Sequence, residues 1–252
     1  VVGDYWKVLY KIVQESNILL NRCTPAIAGN DYTSLTAQAR FFRAMAYYYL
    51  VETFGPVPLL VEENTDVIQQ AERTSEQAIY TFIITELNAI KDQLDMTTNS
   101  AGKVTNAAVI HFLGKMYLTR AYKSFAEAND FSEAATTFDL LIENPSSGYA
   151  LQENFAALFD ENNQANSEVI WAIQYGLDKN YRGGGNPQQA QFGFNIVALE
   201  PDMFTKSQSD YSNASRKYWV NPKAHELYTN PEIDTRYDVT FAREYYINNP
   251  DN

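Results

Sequence analysis

The segment that most limits what this chain can fold into is Ala39-Arg-Phe-Phe-Arg-Ala-Met-Ala-Tyr-Tyr-Tyr-Leu-Val-Glu-Thr-Phe-Gly-Pro-Val-Pro-Leu59. Up to Phe54 it holds neither Gly nor Pro and reads as an aromatic-rich helix. The helix then stops abruptly. Gly55 is able to take the left-handed conformation that closes a helix, Pro56 cannot continue one, and Pro58 drives Val57 out of the helical region. An extended strap is therefore expected to leave a fixed corner. Such a joint aims a chain and performs no chemistry by itself.

Around this joint the first two thirds of the sequence carry helical spacing. Tyr5, Trp6, Leu9, Ile12, Val13, Leu19 and Leu20 predict a helix from about Tyr5 to Asn21. Asp31 to Ser34 offer caps for the next helix, which runs to Phe54. Thr74 with Gln77 forms a capping-box pattern before Ile79, Phe82, Ile83, Leu87, Ile90 and Leu94. A fourth helix after Thr105 carries Ile110, Leu113, Tyr117 and Leu118, and a fifth spans about Ser132 to Ile142. Five amphipathic helices must pack on one another.

A weak internal repeat runs through them. Phe42, Met45, Ala46 and Tyr49 have the spacing of the first helix of a tetratricopeptide unit, and Ile110, Leu113, Gly114 and Tyr117 repeat it. Ala78 with Phe82, and Ala134 with Phe138, match the second helix. The small residues are expected to admit the partner helix, and Tyr49 or Tyr117 to fill the space beside them. The resulting fold class is mainly α, with residues 1–145 as a tetratricopeptide-like scaffold. Residues 146–252 form the loop-rich, aromatic-bearing part of the same domain. Within that part Val169-Ile-Trp-Ala-Ile173 is more strand-like than helical, and the stretch from Tyr175 to Trp219 is long, irregular and rich in Gly, Asn, Gln and Ser.

Composition removes several functions. The 252 residues carry 31 acidic against 19 basic side chains, a net charge of −12 that repels nucleic acid and anionic lipid. No apolar run approaches the ~18 residues of a membrane helix. A single cysteine, Cys23, excludes an intrachain disulfide or Cys-based zinc site, and a buried structural thiol is expected. His111 and His225 stand outside any metal-ligand motif, so no metal or cofactor is expected. Gly183-Gly-Gly-Asn-Pro187 lacks the Lys-Ser/Thr of a phosphate loop and reads as a turn. The oxygen-rich run Asp160 to Glu168 lacks calcium-loop spacing and reads as a solvated loop. The opening Val1-Val2-Gly3 has neither initiator Met nor leader, which suggests a fragment or processed chain.

The stretch Arg40 to Leu59 resembles the hallmark of SusD/RagB-like proteins, an arginine- and tyrosine-bearing helix ending in Phe-Gly-x-Val-Pro. Arg73 to Tyr80, Gly102 to Ala108, Asn166-Ser-Glu-Val-Ile-Trp171 and Asp234-Thr-Arg236 are similar to later segments of that family in the same order. The resemblance implies a non-enzymatic, surface-exposed lipoprotein of the outer membrane. Such a protein captures glycans, or peptides, for a SusC-like TonB-dependent transporter. The family's lipidated cysteine and later Arg-x-Ala-Glu helices are not seen in this chain.

Glycan capture requires flat aromatic faces together with amides and charged groups for hydroxyls. The loop-rich stretch supplies Tyr181, Phe192, Phe194, Tyr211, Tyr218 and Trp219, with Arg216 and several Asn and Gln residues nearby. Packing beneath a long loop is the alternative role of each aromatic. Trp219, beside Tyr218 and following Arg216-Lys217, is the foremost candidate. Two other readings compete: a tetratricopeptide-type scaffold that binds only proteins, and a helical glycoside hydrolase with paired carboxylates about 5–10 Å apart.

Overall fold

The computed structural model describes residues 2–66, 70–98, 100, 102–175, 221–230 and 232–241. Helix α1 is Val2–Arg22, α2 Pro25–Ala28, α3 Tyr32–Phe54, α4 Glu76–Ile90, α5 Asn106–Arg120 and α6 Asp130–Ile142. The later residues add α7, Pro222–Glu226, and α8, Arg236–Thr240. The chain divides into two compact units, residues 1–150 with 169–172, and residues 151–168 with 173–252.

In the first unit α1, α3, α4, α5 and α6 form a succession in which each packs on the next. Position in that row sets how much of each helix is buried. The end helices bury one stripe, Leu9, Val13, Ser16 and Asn17 on α1 and Ala134, Thr137 and Leu141 on α6. The inner helices are covered from two sides. Nine residues of α3 are buried, from Ala37 to Val51, and α5 buries the unbroken run Asn106 to Ile110. The expectation of five one-faced helices thus fails for α3 and α5, because a helix with neighbours on both flanks needs apolar residues all round. Leu50, Val51, Ile79, Ile83, Leu87 and Met116, each at most 2% exposed, form the centre of the core.

Helix ends differ from the sequence reading in detail. Thr105 Oγ1 accepts from the Ala108 amide at 3.2 Å, as an N-cap should. At α4 the cap is Ser75, whose Oγ accepts from the Ala78 amide at 3.3 Å. Thr74 is drawn away into an isolated antiparallel bridge with Val57. Leu94 lies beyond α4, which ends at Ile90. Asp31 gives α3 no side-chain cap; a short helix opened by Pro25 and a 3-10 turn over Gly29–Asp31 lead into α3 instead. Cys23 sits in that connection and is half-buried rather than enclosed.

The paired-helix reading holds for α3 with α4 and α5 with α6, with one register error. A Cβ on Gly114 would stand 2.7 Å from Phe138, so this glycine is what lets α6 approach α5. In the first pair Ala46 is fully buried, but Tyr49 is 41% exposed and Ala78 lies on the surface of α4's first turn. Tyr47 takes the interior place, its ring 5.6 Å from that of Phe82.

Val169 to Ile173 forms no strand. Trp171 instead enters the first unit, its rings 5.8 and 6.0 Å from Phe41 and Phe42, and its indole N–H donates to Gly102 O at 3.0 Å. Within the second unit the Asp160–Glu168 run is tied to its own backbone. Asp160 Oδ1 accepts from the Asn162 amide at 2.8 Å, and Asn166, 7% exposed, donates to Asn163 O at 2.8 Å. Asn166 makes the run partly interior rather than a wholly solvated loop. In the same unit α8 packs on the 3-10 turn Phe155–Phe159, and His225, Tyr228, Tyr237 and Phe241 form a ring cluster.

Candidate functional site

The corner after α3 is built by glycine geometry. Gly55 has φ 68° and ψ −138°, a positive-φ conformation outside the left-handed helical basin, and its amide still donates to Val51 O at 2.9 Å. From there the strap runs over the C-terminal half of α1 and the middle of α3. Among the described residues the strap backbone has no sheet partner beyond the Val57–Thr74 bridge, so its polar groups must find side chains.

Those side chains form a ladder. The Tyr10 hydroxyl donates to Pro58 O at 2.7 Å. The Tyr47 hydroxyl donates to Leu60 O at 2.8 Å and accepts from the Leu60 amide at 2.6 Å. Asn17 Nδ2 donates to Leu60 O at 3.1 Å and to Glu62 O at 2.9 Å. Gln14 exchanges two bonds with the backbone of Asn64, at 2.8 and 3.2 Å. Arg73 Nη1 reaches Pro56 O at 2.7 Å.

Arg43 is the hub of this ladder. It is 6% exposed, and Nη1 donates to Asn17 Oδ1 at 2.8 Å and to Val61 O at 3.1 Å. Its Nε donates to Glu86 Oε2 at 3.1 Å, and Nη2 pairs with the same oxygen. The guanidinium also lies 5.3 Å from the Phe82 ring centroid. One residue therefore ties α1, α3, α4 and the strap together. Arg40, one turn earlier, approaches Glu86 Oε1 at 3.5 Å. Arg40 and Arg43 lie three apart on one face of α3, and Glu86 on the neighbouring α4 is the acid that both approach.

Burial raises the Tyr10, Tyr47 and Tyr80 phenols well above their usual range. For Tyr80 the adjacent Glu52 carboxylate adds to the effect, while for Tyr47 the bond to Leu60 and the charge of Arg43 oppose it. All three are neutral donors throughout the physiological range.

Beside the ladder opens a cleft of about 690 Å³, walled by the C-terminal half of α1, the N-terminal half of α3, the end of α4 and the strap. Its lining is mostly polar, including Asn21, Thr33, Thr36, Arg40 and Gln93. Among the described residues no group of three or more His, Cys, Asp or Glu side chains is placed to hold a metal ion, and no helix is long and apolar enough to cross a membrane.

The aromatic candidates Tyr181, Phe192, Phe194, Tyr211, Tyr218 and Trp219, together with Arg216, lie outside the described residues, as does the run Gly183–Pro187. The polar ladder was not read from sequence. Its signal was present: Arg43 and Tyr47 are four apart on α3, while Asn17 and Glu86 interrupt the apolar stripes of α1 and α4.

A family described as "Starch-binding associating with outer membrane" matches residues 2–118. A SusD-like protein of Bacteroides ovatus is 30% identical over 179 residues, 68% of this chain and 32% of that protein. The starch-binding protein SusD of Bacteroides thetaiotaomicron is 27% identical over 187 residues, 72% of this chain and 32% of that protein. Among solved structures, a laminarin-binding SusD-like protein superposes with a TM-score of 0.72 at 25% identity, over 93% of this chain and 51% of the other. A structure with a bound xylogluco-oligosaccharide gives 0.61 at 28% identity, over 69% and 35%. The chain spans about a third of the length of the curated relatives it matches.

Proposed function

Because this chain belongs to the SusD-like family, we propose that its function is non-enzymatic capture of glycan at the outer surface of the outer membrane, for delivery to a SusC-like TonB-dependent transporter. The observation that carries this reading is the hallmark joint. The Phe54-Gly-Pro-Val-Pro58 corner and its Arg43 hub lie inside the segment matched by the family of outer-membrane-associated starch-binding proteins. Two similar solved structures concern proteins that handle laminarin and a xylogluco-oligosaccharide, which supports oligosaccharide over peptide as the ligand class.

In this reading residues 1–145 are the scaffold and residues 146–252 the ligand-bearing part of the same domain. Trp219, Tyr218, Tyr181, Phe192, Phe194 and Tyr211 supply stacking faces, and Arg216 supplies hydrogen-bond donors. A lipid anchor outside this sequence holds the protein to the membrane.

Affinity electrophoresis against laminarin, xyloglucan and starch tests the proposal. Retardation by at least one polysaccharide is expected. Trp219→Ala should weaken it by about 1–3 kcal/mol, by analogy with stacking of bases on aromatic rings. Unretarded migration through all three gels would remove glycan capture from consideration.

A further inference from the structure

The polar cleft beside the strap, we propose, is a second recognition site, and it takes a saccharide unit bearing a carboxylate. The choice of a saccharide among carboxylate ligands rests on the glycan reading above. The rest stands on the cleft itself.

At its floor two guanidinium groups share one carboxylate. Glu86 Oε2 is occupied by Nε and Nη2 of Arg43. Arg40 is left with a 3.5 Å approach to the other oxygen and forms no hydrogen bond among the described residues. Its side chain is 40% exposed and lines the cleft. A guanidinium presents a planar fork of donors that matches a carboxylate in bidentate fashion, so Arg40 holds an unused anion-binding edge.

The groups around it suit hydroxyls. The Tyr32 and Thr33 hydroxyls, Asn21 Oδ1 and Gln93 Oε1 line the cleft and accept or donate nothing among the described residues. The floor beneath is already ordered, because Asn17 and Arg43 are committed to the strap. Ligand binding therefore orders little that is mobile, which favours affinity. Glu63 at the rim is neutralised by Arg22, while Glu62 adds one carboxylate to the lining. That charge disfavours a densely charged anion, so a saccharide with one carboxylate per sugar unit and many hydroxyls fits better than a phosphate. The volume of about 690 Å³ lies within the usual range for small-molecule sites.

The test is calorimetric titration of the whole chain with digalacturonate, its dimethyl ester, and a neutral laminarin oligosaccharide. Saturable binding of digalacturonate is expected. The ester, which keeps every hydroxyl and loses the charge, should bind at least tenfold more weakly. Arg40→Gln should lose at least tenfold for the acid and nothing further for the ester, and Tyr32→Phe should lose severalfold for both. The acid–ester comparison on the unmodified chain needs no variant to fold. Equal affinity for acid and ester, or an acid affinity unchanged in Arg40→Gln, would overturn the proposal, as would absence of digalacturonate binding. The neutral oligosaccharide reports on glycan capture alone, so the two readings fail separately.

Discussion

Arg43 shows how much one buried side chain can organise. Removing it takes the guanidinium from the buried Glu86 carboxylate and the buried Asn17 amide oxygen, leaving Glu86 only the 3.5 Å approach of Arg40, and a broken buried pair costs about 3–5 kcal/mol. Chemical denaturation should show a loss of that size for Arg43→Met and a smaller one when Glu86→Leu accompanies it. The three raised phenols give a pH signature. Folded Tyr10, Tyr47 and Tyr80 resist ionisation, whereas the unfolded chain ionises near the ordinary tyrosine value of about 10. Their contribution is fully present below that pH and is lost as pH rises through and beyond it. Tyrosinate absorbance should therefore lag for these residues until cooperative alkaline unfolding sets in. At this scale the sequence revealed the pairing need of Arg40 and Arg43 through their shared helix face. It did not reveal the Tyr47 contacts, because three consecutive tyrosines do not disclose which one faces the strap.

Helices and their joints were the most legible elements. Capping residues and apolar spacing located α1, α3, α4, α5 and α6 to within a few residues, because those signals are local. Val169–Ile173 was misread because β-branched residues also suit an extended segment that packs a partly buried tryptophan on the core without strand pairing. Two glycines test the joints. At Gly55 the backbone occupies a region that side chains enter at a cost of about 1–3 kcal/mol, so Gly55→Ala should lower the denaturation free energy by that amount. Gly114→Ala places a methyl group against Phe138. Overpacking of about 1–3 kcal/mol should outweigh the gain in helix propensity of about 1 kcal/mol, so a modest net loss of stability is expected in the same measurement.

At the scale of the molecule, an acidic chain folds its first unit as a row of paired helices with a strap pinned by buried side chains. The family was readable from one twenty-residue motif because its corner demands a particular combination of Gly, Pro and flanking aromatics. The ligand was not readable, since stacking faces and amides serve any sugar and equally serve loop packing. The most direct test is calorimetric titration of the chain with laminarin and xyloglucan oligosaccharides, followed by chromatography of the recovered ligand. Glycan capture without catalysis predicts saturable binding of at least one of them, with the sugar returned intact. Absence of binding to both, or release of shorter products, would contradict it.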